Sequence, residues 1–297
     1  MRQTENIVHQ LPCWTSPIQP VRLTGGISND NYLVADDTGK YVVRVNGDVP
    51  EHGVLRLNDA NCNRAAAAIG VAPEVHFAGP DAIVVRYVEG RTFGEEDVRV
   101  QENLEPILTL LKRTHDEGFA HVRGPVCAFW PFRVCRDYAH FLEEAGNITD
   151  RELTREISRL RSVNAALESS IGPIIPVLGH NDLLAANFID DGEKIWLIDW
   201  EHAGMTSPLF DLGNLVSNNE LSSGQEAWLL ENYFERALEE GLYSRYHAMK
   251  CASLLREAMW SMVSEVTSTI DFDYAAYSVE FMGRFDDEYA RRLEFAS

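Results

Sequence analysis

The residues whose types and spacing can do chemistry lie in segment 178–214. It reads Leu-Gly-His-Asn-Asp-Leu-Leu-Ala-Ala-Asn-Phe-Ile, then a turn, Leu-Ile-Asp-Trp-Glu-His-Ala-Gly, and finally Phe-Asp-Leu-Gly-Asn. His180, Asp182 and Asn187 form an H-x-D-x4-N loop that feeds a strand, and Asp199 ends the strand that returns. An antiparallel return brings Asp199 beside the loop carrying Asp182 and Asn187. Such a set suits phosphoryl transfer. One carboxylate orients the proton of an attacking hydroxyl, while an amide oxygen and a second carboxylate hold Mg2+ against nucleotide phosphates. The protein in such a reaction mainly positions groups and neutralises charge, so hard oxygen ligands in set places are what it needs. Loops favour Asp and Asn in any case, but His180, Asp182, Asn187 and Asp199 together fit the roles of a single reaction.

The surrounding elements must position these groups. Residues 21–45 alternate as hairpin strands do: Val21 and Leu23, then Gly25-Gly26-Ile27-Ser28-Asn29, then Tyr32-Leu33-Val34, a turn at 36–39, and Tyr41-Val42-Val43-Arg44-Val45. In the first turn Gly26, Ser28 and Asn29 allow backbone N–H groups to approach phosphates. An alanine-rich helix is expected over 58–69, stopped by Gly70, and a strand over 82–88. These make a small α+β lobe, 1–88. Residues 89–297 read as a mostly helical lobe, with helices at 103–115, 151–169, 225–240 (closed by Gly241) and 247–269. A single β interruption is expected at 188–198, around the turn Asp190-Asp191-Gly192-Glu193.

Two lobes agree with the length, 297 residues, at roughly 150 residues per domain. Apolar residues are 45% and charged residues 24%, which excludes a disordered tail, a fibre and a disulfide-stapled scaffold. Acidic residues number 46 against 26 Lys plus Arg, a net charge of −20 that repels phosphate backbones. Nucleic acid is therefore not an expected partner. The five cysteines are scattered and form no CxxC, which argues against a disulfide framework or a zinc site and for a reducing compartment. The polar start after Met1 shows no secretory signal, and no run approaches the ~20 apolar residues that span a bilayer. A cytoplasmic protein without membrane insertion is expected, and a homodimer stays open.

His180–Asn187 resembles the phosphotransferase motif of the aminoglycoside phosphotransferase and choline kinase superfamily. Ile198-Asp199-Trp200-Glu201-His202-Ala203-Gly204, with Phe210-Asp211-Leu212-Gly213-Asn214, resembles the choline kinase motif in particular. The resemblance runs through nearly the whole chain. It implies an α+β, protein-kinase-like bilobal fold: a small mixed N-terminal lobe with an antiparallel sheet, a mostly helical C-terminal lobe, and ATP in the cleft. By position, Asp182 matches the catalytic base, Asn187 and Asp199 match magnesium ligands, and Glu201 matches an acidic residue near the second metal. Asp211 and His180 match groups that brace the catalytic loop. Arg44 stands where the family puts a phosphate-gripping cation on the third strand. Asp59 stands where it puts that cation's acidic partner, usually the longer Glu. Residues 85–89 match the hinge that recognises adenine through backbone groups.

A quaternary ammonium offers no N–H, so its recognition needs aromatic faces and a nearby negative charge. Glu257 and Trp260 fall at i, i+3 on one helix, and Tyr274 and Tyr277 are three apart. Segment 255–277 resembles the choline-binding end of eukaryotic choline kinases, with Trp260 and Tyr277 matching cage aromatics. Aromatics at helical spacing also build cores, so cage and core both stand here. Three departures alter the cage: Glu257 replaces a second tryptophan, His202 replaces a tyrosine, and Asn218 replaces an acid. With the charge moved to Glu257, choline or a primary or secondary amine suits the pocket. The expected activity is ATP- and Mg2+-dependent transfer of the γ-phosphoryl group to a small amino alcohol, choline or ethanolamine. The alternatives are a kinase for another alcohol, such as an aminoglycoside or thiamine-like acceptor, and a catalytically inactive nucleotide- or amine-binding module.

Overall fold

The computed structural model describes residues 3–23, 30–45, 47–145 and 151–295. After helix α1 (Gln3–Gln10) come strands β1 (Val21–Arg22), β2 (Asp30–Asp36) and β3 (Gly39–Val45). A tight turn joins β2 to β3, where Asp36 Oδ1 accepts from the N–H of Thr38 at 2.8 Å and of Gly39 at 3.2 Å. Helix α2 (Arg56–Ala68), β4 (Val75–Ala78) and β5 (Ala82–Arg86) complete an antiparallel sheet ordered β1-β2-β3-β5-β4. Period-two alternation decides which face each β3 side chain takes. Tyr41, Val43 and Val45 join the core with Val8 and Val34, so Arg44 takes the opposite face. There α2 lies, with Ala60 packed against Ile83 and Val85. Gly70 stops α2 as expected, at φ 73°, a conformation that costs a side chain but not glycine.

The remainder is mostly helical. Short β6 (Arg91–Thr92) and α3 (Glu95–Val98) lead into α4 (Gln101–His121), α5 (Pro131–Ala145) and α6 (Arg151–Ser169). Then follow β7 (Val177–Gly179), β8 (Phe188–Asp190), β9 (Ile195–Leu197), β10 (Gly204–Thr206), α7 (Pro208–Asn218), α8 (Ser223–Phe234), α9 (Glu240–Thr267) and α10 (Tyr274–Phe295). Helix α9 is the axis of this part, packed by α5, α6, α7 and α10. The α+β class is as expected.

Three expectations are corrected. The β interruption is not single: the β8–β9 hairpin also pairs with β6, and β7 pairs with β10. Strands of two or three residues are too short to show a period. The helix expected over 225–240 ends at Phe234, where Glu235 turns left-handed at φ 53°. It begins at a capping box between Ser222 and Gln225. Gly241 closes nothing: it lies in the first turn of α9, which starts seven residues before the expected 247. Helices α5 and α10 have no counterpart among the expected spans.

Strand β7 delivers the His180–Asn187 loop, and its last residue must be glycine. A Cβ on Gly179 would fall 2.2 Å from Thr206 Cγ2 and 3.0 Å from Asp211 Oδ2. Gly179→Ala is therefore expected to cost about 2–3 kcal/mol, read by urea unfolding. A loss below about 0.5 kcal/mol would show that β10 yields freely.

Candidate active site

Beyond β7 the chain makes two sharp turns with non-glycine residues in left-handed conformation: Asn181 at φ 66° and Asp199 at φ 67°. Such strain persists only where surrounding contacts over-determine it, and here they do. Asp211, on the first turn of α7, accepts from the N–H groups of His180 and Asn181, each at 2.8 Å. His115 on α4 donates to the same carboxylate at 3.0 Å, its other nitrogen facing the Tyr233 hydroxyl at 2.8 Å. Burial alone would raise Asp211, but these hydrogen bonds and the His115 charge hold it below the usual carboxylate range. His180 donates through Nε2 to Ile198 O at 2.9 Å, tying the loop to the residue before Asp199. Asn214 and Asn219 bind the N–H and C=O of Leu183. The loop's backbone is thus held from α4 and α7.

What this frame presents is a cleft of about 320 Å³. Asp182, Asn187 and Asp199 line it, as do Glu201, His202, Glu257, Trp260, Tyr274 and Tyr277. The structure therefore brings the sequence-derived catalytic and acceptor candidates into one cavity. Asn187 Nδ2 donates to Asp182 O at 2.8 Å and Oδ2 at 3.3 Å, committing the nitrogen end of its amide to the loop. Burial pushes the carboxyl of Asp182 upward, as it does that of Asp199.

The charged floor differs from expectation in its pairing. Arg44 Nη2 reaches Asp199 at 2.7 Å and Glu201 at 2.9 Å, whereas its Nη1 is 4.0 Å from Asp59. Asp59 keeps that contact at the limit of an ion pair but lies closer to Arg56, at 3.1 Å, and Arg56 also meets Glu201 at 3.1 Å. The shorter Asp side chain, where the family usually has Glu, accounts for the long Arg44 contact. Two arginines and three carboxylates thus form one buried network across the cleft. Arg56 was not singled out from the sequence; its signal was the i, i+3 pairing with Asp59 in a helix whose only other charge is Arg64. Gly26, Ser28 and Asn29 lie outside the described residues. Of the expected hinge, the N–H groups of Arg86 and Tyr87 are taken by the carbonyls of Glu74 and Lys40.

In the same cleft, Trp260 stands 6.0 Å from both Tyr274 and Tyr277, edge to face, and 5.8 Å from the ring of His52. Tyr274 is buried, its hydroxyl donating to Ser268 Oγ at 2.8 Å, while Tyr277 stacks on Phe281. His52, in the turn after β3, is a residue the sequence did not flag. Burial and the charge of Arg256 lower it to about 4, so it is neutral at physiological pH. His202 is likewise held well below its ordinary value by burial. Arg256, also missed, bonds to Glu257 and lies 3.6 Å from Asp182. An Arg-Glu pair inside an apolar helical run was its signal.

Asn187, Asp199 and Glu201 offer only oxygen at the position where a magnesium ion is expected, which fits that hard cation. Among the described residues no group of three His, Cys, Asp or Glu forms a metal cage. Among the described residues no helix is long and apolar enough to cross a membrane.

Comparison with known proteins gives matches along the chain. Residues 20–249 match the family described as phosphotransferase enzyme family. Ethanolamine kinase 2 of Mus musculus is 26% identical, the alignment covering 90% of this chain and 76% of that one. A choline/ethanolamine kinase family protein from Mesorhizobium loti has the same fold, with a TM-score of 0.75 at 24% identity over 98% of this chain and 97% of that one. LicA in complex with AMP has a TM-score of 0.78 at 20% identity, over 98% and 100% of the two chains.

Proposed function

The chain belongs to the phosphotransferase enzyme family, and from that premise we propose that it moves the γ-phosphoryl group of ATP, with Mg2+, to the hydroxyl of a small amino alcohol, ethanolamine or choline. The observation that carries this reading is one cleft of about 320 Å³ that Asp182, Asn187 and Asp199 share with Glu257, Trp260 and Tyr277. That volume lies at the low end of the roughly 300–1,000 Å³ of drug-sized ligand pockets, and it must also admit a nucleotide phosphate, so it favours a small acceptor over an aminoglycoside. The relatives named for ethanolamine and choline/ethanolamine kinase activity support the same class.

In this mechanism Asp182 accepts the hydrogen bond of the acceptor hydroxyl and aims its oxygen at the phosphorus. Asn187 and Asp199, with Glu201 nearby, hold Mg2+, which when bound neutralises phosphate charge. Arg44 adds a guanidinium on the phosphate side, and Arg56 and Asp59 keep Glu201 and Arg44 in place. Gly26, Ser28 and Asn29 are assigned to the nucleotide phosphates on the sequence alone. Glu257 attracts the amine, and Trp260 with Tyr277 covers its carbon atoms. His202 and Tyr274 complete the wall. Residues 1–88 serve as the nucleotide lobe and 89–297 as the acceptor lobe. The five free cysteines support a reducing compartment such as the cytoplasm for this reaction.

The test is ADP release with ATP and Mg2+ against ethanolamine, choline, an aminoglycoside and thiamine. Turnover of ethanolamine or choline is expected, and Trp260→Ala raises the acceptor KM about 10-fold while the ATP KM stays within about 2-fold. Preference for the aminoglycoside, or nucleotide binding without any turnover, would overturn the reading.

A further inference from the structure

Arg256 is only 2% exposed, on a stretch of α9 that is otherwise apolar apart from Glu257. Adjacent helical residues do not normally face each other, yet Arg256 Nη1 bonds to Glu257 Oε1. The same nitrogen lies 3.6 Å from Asp182 Oδ1. The second oxygen of Glu257 meets the Tyr277 hydroxyl at 3.4 Å, and the guanidinium stands 6.0 Å from the ring centre of Phe129. A buried arginine is unfavourable unless its charge is paired. Any carboxylate in the core would serve that end. Here both partners instead line the cleft, and both are held by the same Arg256 nitrogen.

We propose that Arg256 is a positioning residue that sets the spacing between Asp182 and Glu257, so that the site selects acceptors whose hydroxyl and amine are separated by a short chain. The proposal rests on the amino-alcohol reading above. One nitrogen in contact with both carboxylates keeps them within the reach of a two- or three-carbon amino alcohol. The planar guanidinium holds that spacing because its donors form a rigid fork. A lysine keeps the charge but, as a mobile point charge, does not hold two oxygens at a set distance.

The experiment measures kcat/KM for ethanolamine, 3-aminopropanol and 4-aminobutanol in the wild-type chain, in Arg256→Lys and in Glu257→Gln. Wild type is expected to lose at least about 10-fold from the two-carbon to the four-carbon acceptor. Arg256→Lys lowers the two-carbon value by about 30-fold or more and brings the chain-length ratio to within about 3-fold, the ATP KM moving less than about 3-fold. Glu257→Gln, which keeps the side-chain shape, compresses the ratio in the same direction even if the lysine variant misfolds. A uniform loss with the wild-type ratio retained in both variants, or no chain-length preference in wild type, would overturn the role of Arg256 and leave the amino-alcohol reading standing. No turnover of any acceptor by wild type would overturn that reading, and this proposal with it.

Discussion

Asp182→Asn is expected to leave a folded, nucleotide-binding protein whose phosphoryl transfer is about 10³-fold slower than wild type. The asparagine keeps the size of the side chain and one carbonyl oxygen, so Asn187 retains its bond to the Asp182 main chain, 2.8 Å in wild type. The loop is held by Asp211, Asn214 and Asn219 rather than by Asp182, so its course survives. What disappears is the negative charge facing the acceptor hydroxyl, the group that takes up or orients its proton. The loss falls on kcat, because the interaction is strongest as the hydroxyl gives up its proton. ADP release at saturating acceptor, beside thermal unfolding and nucleotide titration, measures all three quantities. A kcat within about 10-fold of wild type would remove Asp182 from the chemistry.

Asp211→Ala is expected to have the largest effect on stability, about 3–5 kcal/mol by urea unfolding. The substitution strands the N–H groups of His180 and Asn181 and the His115 donor inside a region with no access to water. Activity falls with it, since the left-handed turn at Asn181 loses the bonds that hold it. The pH dependence has a definite sign. The folded value of Asp211 is depressed below the usual 3.8, so its contribution is complete above that value. The contribution drains away as the pH falls through the lower folded value. The gap in stability between wild type and Asp211→Ala therefore narrows in acid. A gap that stays constant below the usual carboxylate range would mean that Asp211 is not ionised in the folded protein.

Much of this site was legible because its information is local. The H-x-D-x4-N loop, the hairpin and Asp199 lie within one short stretch, and antiparallel return is a property of the hairpin itself. Alternation along β3 put Arg44 on the face opposite Tyr41 and Val43 without reference to any other element. The helices were harder to delimit. Nothing near Glu235 marks a break, and the left-handed turn that ends α8 there is accompanied by an ion pair to Lys112, far away in the chain.

By itself, then, the sequence determined which chemistry is on offer: carboxylates and an amide on one loop–hairpin–loop, a cation on a strand, and aromatics with an acid near the C-terminus. Only the tertiary structure decided the partners. Arg44 meets Asp199 across 155 positions of sequence, Arg56 meets Glu201 across 145, and Arg256 leans toward Asp182 from another helix. Such pairs form because docking the helical part against the sheet removes water from all these charges at once. Each charge must then find an opposite charge within reach. The length of Asp59 and the packing of α9 select which one it is, and no spacing along the chain records that choice.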